Sequence, residues 1–176
     1  MTAPASTMAS MDLIASFDDI APRPWANGAG ETTELVSLDE SARLTPDRRR
    51  WRLSIARLDR PGPFSSLPGL DRIFCPTAEV VLSIDGTLHR AGPGRPLRFS
   101  GDADVALTEL RESCFAINLM TEREGDHPAL TMLPAPAERP RFVLTLEPVE
   151  GWGRFTLLEL DGSEELPGRL GVIGMS

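Results

Sequence analysis

Proline and glycine break this chain so often that no long element fits between them. There are 16 prolines and 15 glycines in 176 residues. Proline removes an amide donor and blocks helix interiors and central strands, and glycine weakens both. What remains between the breaks is strand-sized and rich in β-branched or aromatic residues. Trp51 to Leu58 is the clearest case: Trp51, Leu53 and Ile55 fall on one face of a strand, and Arg52, Ser54 and Ala56 on the other. Glu79 to Ile84, then Asp85-Gly86, then Thr87 to Arg90 reads as a hairpin, because Asp-Gly accepts the positive φ angles of a type I′ turn. Glu34 to Leu38, Pro96 to Phe99, Val105 to Leu110 and Cys114 to Met120 add further strands. Helical patterning is weak throughout. Short strands at regular spacing imply an all-β sandwich or barrel.

The second half repeats the pattern after an interruption. Thr121 to Pro140 holds four prolines and reads as an extended connector. Strands resume at Arg141 to Glu147 and Arg154 to Leu160, with Glu150 to Gly153 turning between them, and Arg169 to Ile173 is expected as an edge strand. Residues 1–10 read as a flexible tail. Residues 11–176 are expected to form one domain whose two lobes join near 121–140.

Composition narrows the function classes. With 41% hydrophobic and 25% charged residues, the chain falls in the globular range rather than the disordered one. Its net charge of −8 lacks the basic footprint of a nucleic-acid binder. Apart from two histidines, every basic residue is arginine; lysine Schiff-base chemistry and P-loop phosphate binding are therefore absent. No apolar run nears the ~20 residues of a membrane span. The first 17 residues carry no basic segment followed by an apolar core, so no secretory signal is read there and a cytoplasmic location is expected. Cys75 and Cys114 sit in apolar segments and read as buried free thiols. His89 and His127 are far apart and lack the His-x-His pattern of a transition-metal site, so neither metal nor cofactor is expected. No Gly-x-Ser-x-Gly elbow is present.

Four stretches carry polar chemistry. In Pro24 to Glu34, the turn around Asn27, Gly28 and Gly30 offers backbone amides that could cradle an oxyanion, followed by Thr32 and Glu34, with Trp25 as an apolar wall or a core plug. The Trp51 strand places Arg52 and Ser54 side by side, facing a pocket or solvent. The loop from Arg60 to Arg72 combines Phe64 with an Asp71-Arg72 pair. Asn118 is an amide inside an apolar strand, either a structural clip or a ligand reader.

Together these stretches resemble the HutD/Ves family of small bacterial cupin-like proteins. The family's Pro-Trp-Lys-Asn-Gly-Gly-Gly-x-Thr-x-Glu loop is matched by Pro24 to Glu34. Its Trp-Arg-x-Ser-x-Ala strand is matched by Trp51 to Ala56, and its Gly-Pro-Phe-Ser-x-x-Pro-Gly-x-Asp-Arg loop by Gly62 to Arg72. A Phe-x-Gly-Asp turn corresponds to Phe99 to Asp102 and an Asn-Leu-Met strand end to Asn118 to Met120. The five motifs keep their order and spacing over residues 11 to 124. Ala26 and Ala29 depart from the family lysine and glycine.

The resemblance implies an all-β, cupin-like, double-lobed (bicupin) fold without a metal, and a role in binding a small carboxylate intermediate to modulate histidine catabolism. Arg52 and Arg72 would clamp the carboxylate, since guanidinium forks match carboxylates in geometry and charge. Asn27, Gly28, Gly30, Thr32, Ser54 and Asn118 would read the remaining polar atoms. Trp25, Trp51 and Phe64 would form apolar walls. An alternative is a metal-independent isomerase or hydrolase of a small acid, with Glu34 and Asp71 as acid and base in one cavity. A third is a protein-interaction module without a pocket, with Arg52 solvated. An exposed sheet edge could support a homodimer.

Overall fold

The computed structural model describes residues 11–133, 140–149, 151–161 and 172–176. Among them, the strands form three sheets. The central, six-stranded sheet runs in the order β2 (Arg23–Pro24), β3 (Gly30–Val36), β4 (Trp51–Leu58), β11 (Cys114–Glu122), β6 (Leu70–Pro76), β9 (Leu97–Ser100). One face is covered by a four-stranded sheet of β5 (Gly62–Pro63), β10 (Val105–Leu110), β7 (Val80–Ile84) and β8 (Thr87–Ala91). The other is covered by a five-stranded sheet of β1 (Asp12–Ser16), β14 (Thr156–Glu159), β13 (Phe142–Thr145), β15 (Val172–Met175) and β12 (Met132–Leu133). The chain is all-β and cupin-like.

Period-two alternation in the central strands builds both layers at once. Trp51, Leu53 and Ile55 of β4 join Ile73, Cys75, Ile117 and Leu119 in a core closed by Leu130, Met132, Phe142, Leu144, Leu157, Ile173 and Met175. Ala56 and Leu58, on the alternate face of β4, join Phe74, Cys114 and Ala116 against Val80, Leu82, Val105 and Leu107. A strand with both faces covered reads as a nearly continuous apolar run only where both neighbours are apolar. In β4 the run breaks at Arg52 and Ser54, where the second core gives way to a cavity.

Several elements follow their expected sequence signals. Asp85 (φ 48°) and Gly86 (φ 80°) both take the left-handed conformation required by the β7–β8 turn. Both cysteines are buried and free, and burial raises the two thiol pKa values. Other elements differ. Leu38–Leu44 is an α-helix (α1), with a capping box between Ser37 and Glu40. The Ser37 hydroxyl accepts from the Glu40 amide, and the Glu40 carboxylate accepts from the Ser37 amide at 2.8 Å. α1 is tied to the central sheet by Ser41, whose Oγ accepts from the Trp51 amide at 2.9 Å, and by Thr45, whose Oγ1 accepts from Trp51 Nε1 at 2.8 Å.

The expected connector is interrupted, since Met132–Leu133 pairs with β15. Residues 134–139 lie outside the described residues. The expected C-terminal edge strand instead runs over Val172–Met175, between β13 and β12, so it is an inner strand. Residues 169–171 lie outside the described residues. Asp71-Arg72, expected in a loop, belongs to β6.

Candidate functional site

The central sheet presents its polar residues in two rows. Register places Glu34 opposite Ser54, and Ser54 opposite Asn118. One pleat further, Arg52 lies opposite Met120, Met120 opposite Arg72, and Arg72 opposite Phe99. Directly paired residues share a face, so these side chains all point to the same side. There all but Phe99 form the floor of a cavity of about 440 Å³. Its walls are Arg23, Pro24, Trp25, Ala26 and Asn27, from β2 and the loop after it, and Pro63, Phe64, Ser65 and Leu67, from β5 and the loop after it; Thr32 and Ala56 complete the floor. The volume falls in the usual range for small-molecule pockets, ~300–1,000 Å³.

A β-bulge between Glu34 and Val36 lets Leu35 and Val36 both join the opposite core while Glu34 stays on the cavity side. Trp25 donates its indole N–H to Thr32 Oγ1 at 2.8 Å and meets Phe64 edge-on at 6.2 Å between ring centroids. The two wall loops are joined by Arg60, whose Nη2 donates to the Asn27 carbonyl at 2.5 Å. Glycine at position 101 holds the second loop: a Cβ there would stand 2.2 Å from the Leu67 carbonyl oxygen.

Electrostatically the cavity is the inverse of the acidic chain around it. Among the described residues its lining holds Arg23, Arg52 and Arg72 against a single carboxylate, Glu34. Arg52 pairs through Nε with Glu34, and its Nη1 lies 3.6 Å from Met120 Sδ. Arg72 is only 8% exposed. Its Nε and Nη2 both donate to Asn118 Oδ1, at 2.9 and 2.7 Å. The guanidinium lies 4.6 Å from the Phe64 ring centre, 5.6 Å from Phe99 and 5.9 Å from Phe74. Among the described residues no carboxylate pairs with it. Burial first, and the Arg52 charge second, push its pKa down to about 9, which leaves it protonated at neutral pH. Ser54 is 1% exposed, and its hydroxyl has no protein partner among the described residues.

Nine of the expected residues meet at this cavity: Trp25, Asn27, Thr32, Glu34, Arg52, Ser54, Phe64, Arg72 and Asn118. Four do not. Trp51 is fully buried on the opposite face of β4, because alternate residues of a strand point opposite ways. Asp71 is turned away from the cavity for the same reason; it pairs with Arg123 at 3.1 Å and lines a separate groove with Arg49, Arg98 and Glu122. Glu34 and Asp71 therefore share no cavity. Gly28 and Gly30 shape the loop rather than line the cavity. Gly28 has φ 64°, and a Cβ on Gly30 would stand 2.1 Å from the Arg57 carbonyl oxygen. The oxyanion nest expected here does not form, since the Gly28 amide donates to the Trp25 carbonyl and the Ala29 amide to Asn27 Oδ1.

Sequence reasoning missed Arg23, Pro24, Ala26, Ala56, Pro63, Ser65, Leu67 and Met120. Ala56 and Met120 were within reach, because each shares strand parity with Arg52 or Asn118. Among the described residues no histidine or cysteine lines the cavity. Among the described residues, no group of three or more His, Cys, Asp or Glu is placed to hold a metal ion.

Fold and site define an all-β, cupin-like protein with an arginine-lined cavity on one face of its central sheet. A family model described as HutD matches residues 17–149, well over half of the chain. The chain belongs to the HutD family. It is 30% identical to a protein from the hutC 3′ region of Pseudomonas putida, over 92% of each chain. It is also 34% identical to the protein Ves of Citrobacter koseri, over 61% of this chain, a match spanning 58% of the Ves protein's own length. The solved structure of HutD from Pseudomonas fluorescens SBW25 superposes with a TM-score of 0.67 at 25% identity, covering 95% of this chain and 98% of that one. Among the described residues no helix is long and apolar enough to cross a membrane.

Proposed function

We propose that this protein is a cytoplasmic binder of a small carboxylate, which it holds in the cavity beside Arg72, and that binding modulates the catabolism of histidine. The carrying observation is the Arg72 guanidinium, buried with an amide oxygen and aromatic rings for company but no carboxylate. A buried charge left without a counter-ion is costly, and a bound anion supplies one. A carboxylate fits the guanidinium fork with two charge-assisted hydrogen bonds. Ser54 offers a free hydroxyl in the neighbouring row, and Trp25 and Phe64 offer apolar walls. The pathway comes from relatives named HutD and from the hutC region.

An acid–base enzyme using Glu34 and Asp71 is disfavoured, since the two lie on opposite faces. A pocket-free interaction module is disfavoured by the cavity and by the Arg52–Glu34 pair inside it.

The test is a thermal-shift panel of histidine, urocanate, formiminoglutamate, formylglutamate and glutamate, with Arg72→Met beside the wild type. A ligand at 100 times its Kd adds about 2.7 kcal/mol. The expected result is stabilisation by at least one acid in the wild type and none in Arg72→Met. An unresponsive wild type at millimolar acid would overturn the carboxylate reading.

A further inference from the structure

The acceptor facing Arg72 is an amide where a carboxylate of the same shape would fit. Asn118 sits on β11, across from Ser54 on β4 and Phe74 on β6. Its orientation is fixed at both ends. Oδ1 takes two hydrogen bonds from Arg72, and Nδ2 donates to the Ala116 carbonyl at 3.2 Å. The residue is 1% exposed, so its polar atoms have no water to fall back on. In the same row as Arg72 the other cavity-floor arginine is handled differently, Arg52 being paired with a carboxylate, Glu34. The same wall thus holds one neutralised guanidinium and one that is oriented but left charged.

From this contrast the geometry points to Asn118 as a positioning residue that aims the Arg72 fork while keeping its charge available to an anion. Asn118 is then not a reader of the ligand. It acts through Arg72, and its neutrality is the property that matters. This rests on the proposed carboxylate site and names the residue that sets that site's charge. Arg72 has two functions to reconcile: it must be held in one place, and it must still attract an anion. An amide oxygen gives the first without removing the second, because it accepts hydrogen bonds but carries no net charge. A carboxylate at this position would give both orientation and neutralisation, and the cavity would lose its pull on acids.

Two near-isosteric variants separate charge from shape, Asn118→Asp and Asn118→Leu. Urocanate, formylglutamate and acetate are the probes, and binding is read by calorimetry at neutral pH. The expected result is that Asn118→Asp weakens whichever probe the wild type binds by about 30-fold or more, as for a buried charge lost to another partner. Asn118→Leu weakens it less, because the Arg72 charge stays open although its aim is loosened. Equal loss in both variants, or full binding by Asn118→Asp, overturns the inference.

If the wild type binds none of the probes, the carboxylate reading fails by itself, and the unliganded variants still decide the charge argument. Asn118→Asp should then be the more stable of the two at neutral pH, through its pair with Arg72. That pair holds the new carboxyl's folded pKa below its unfolded value. The advantage is therefore present above the unfolded pKa of ~3.9 and is lost as pH falls through the folded value. An Asn118→Asp protein less stable than Asn118→Leu at neutral pH overturns the inference.

Discussion

The two faces of β4 are made by alternate residues of one strand, yet they do different work. Trp51, Leu53 and Ile55 look into a core closed by the β12–β15 layer, and all are essentially inaccessible. Arg52 and Ser54, one position away from each, look into a cavity held open by two loops. The first face is filled with apolar side chains, and its polar atoms are paired locally, as Trp51 Nε1 is with Thr45. The second faces a cavity in which Arg52 is paired with Glu34, Arg72 of β6 has no carboxylate partner among the described residues, and the Ser54 hydroxyl has no protein partner among them. If the cavity binds as proposed, stability and ligand affinity are carried by neighbouring residues, and a shift of one position should exchange one property for the other.

The comparison is broken most severely on the closed face. Leu53→Ala should destabilise by about 2–5 kcal/mol, the range for a large-to-small change in a packed core. Once folded, the variant should still respond to the acid that binds wild type; chemical denaturation and a ligand titration check the two halves. On the cavity face the balance inverts. Arg72→Met should weaken acid binding by about 30-fold or more. It should change stability by only about 1 kcal/mol, because relief of a buried charge offsets the lost ring contacts and the two hydrogen bonds lost at Asn118 Oδ1. Ser54→Ala should weaken binding by about 3- to 10-fold, the value of one hydrogen bond, with little change in Tm.

Glu34→Gln sharpens the contrast between the two arginines. It frees the Arg52 charge, so dicarboxylates should gain affinity relative to monocarboxylates, while stability moves by less than about 1 kcal/mol because the pair is partly exposed. The effect most remote from the cavity lies outside both faces, at the α1 cap. Its hydrogen bond from the Ser37 backbone, and then from the Ser37 side chain, lower the Glu40 pKa. A carboxyl with a depressed folded pKa stabilises above its unfolded value and loses that contribution as pH falls through the folded one. Ser37→Ala should cost about 1 kcal/mol and flatten this acid limb in a pH series of denaturation curves.

How far the site could be read in advance follows from the same alternation. The Trp51 to Ile55 pattern is unambiguous, because apolar and polar residues alternate in it. The pattern says which residues share a face but not which face meets a cavity, since both faces here are covered. That is why Trp51 was grouped with the site although it packs against the C-terminal layer. The prolines of the Arg60 to Arg72 stretch mask the start of β6, so Asp71 and Arg72 looked like one pair when strand geometry sends them opposite ways. α1 had a legible signal in Ser37 and Glu40, but with only seven residues it shows no apolar periodicity to support it. The inner position of β15 was out of reach because its partners, β12 and β13, are short and distant in sequence, and pairing of that kind leaves no local trace.

The layer that covers Trp51 is assembled from both ends of the described chain: β1, at residues 12–16, pairs with β14, and β15, at residues 172–175, lies between β13 and β12. During synthesis the central sheet emerges before most of that layer, with its cavity face and its Trp51 face complete in sequence. At ~5–20 residues per second on a ribosome, it must then wait seconds for the strands that cover the second face. Until β13 and β14 are made, Trp51, Leu53, Ile55, Ile117 and Leu119 lack the layer that closes over them and β1 lacks its partner, and until β15 is made β12 stays unpaired. A nascent chain halted before residue 172 is therefore the form of this protein that chaperones should hold longest, and a premature stop there should leave an aggregate rather than a smaller binding protein.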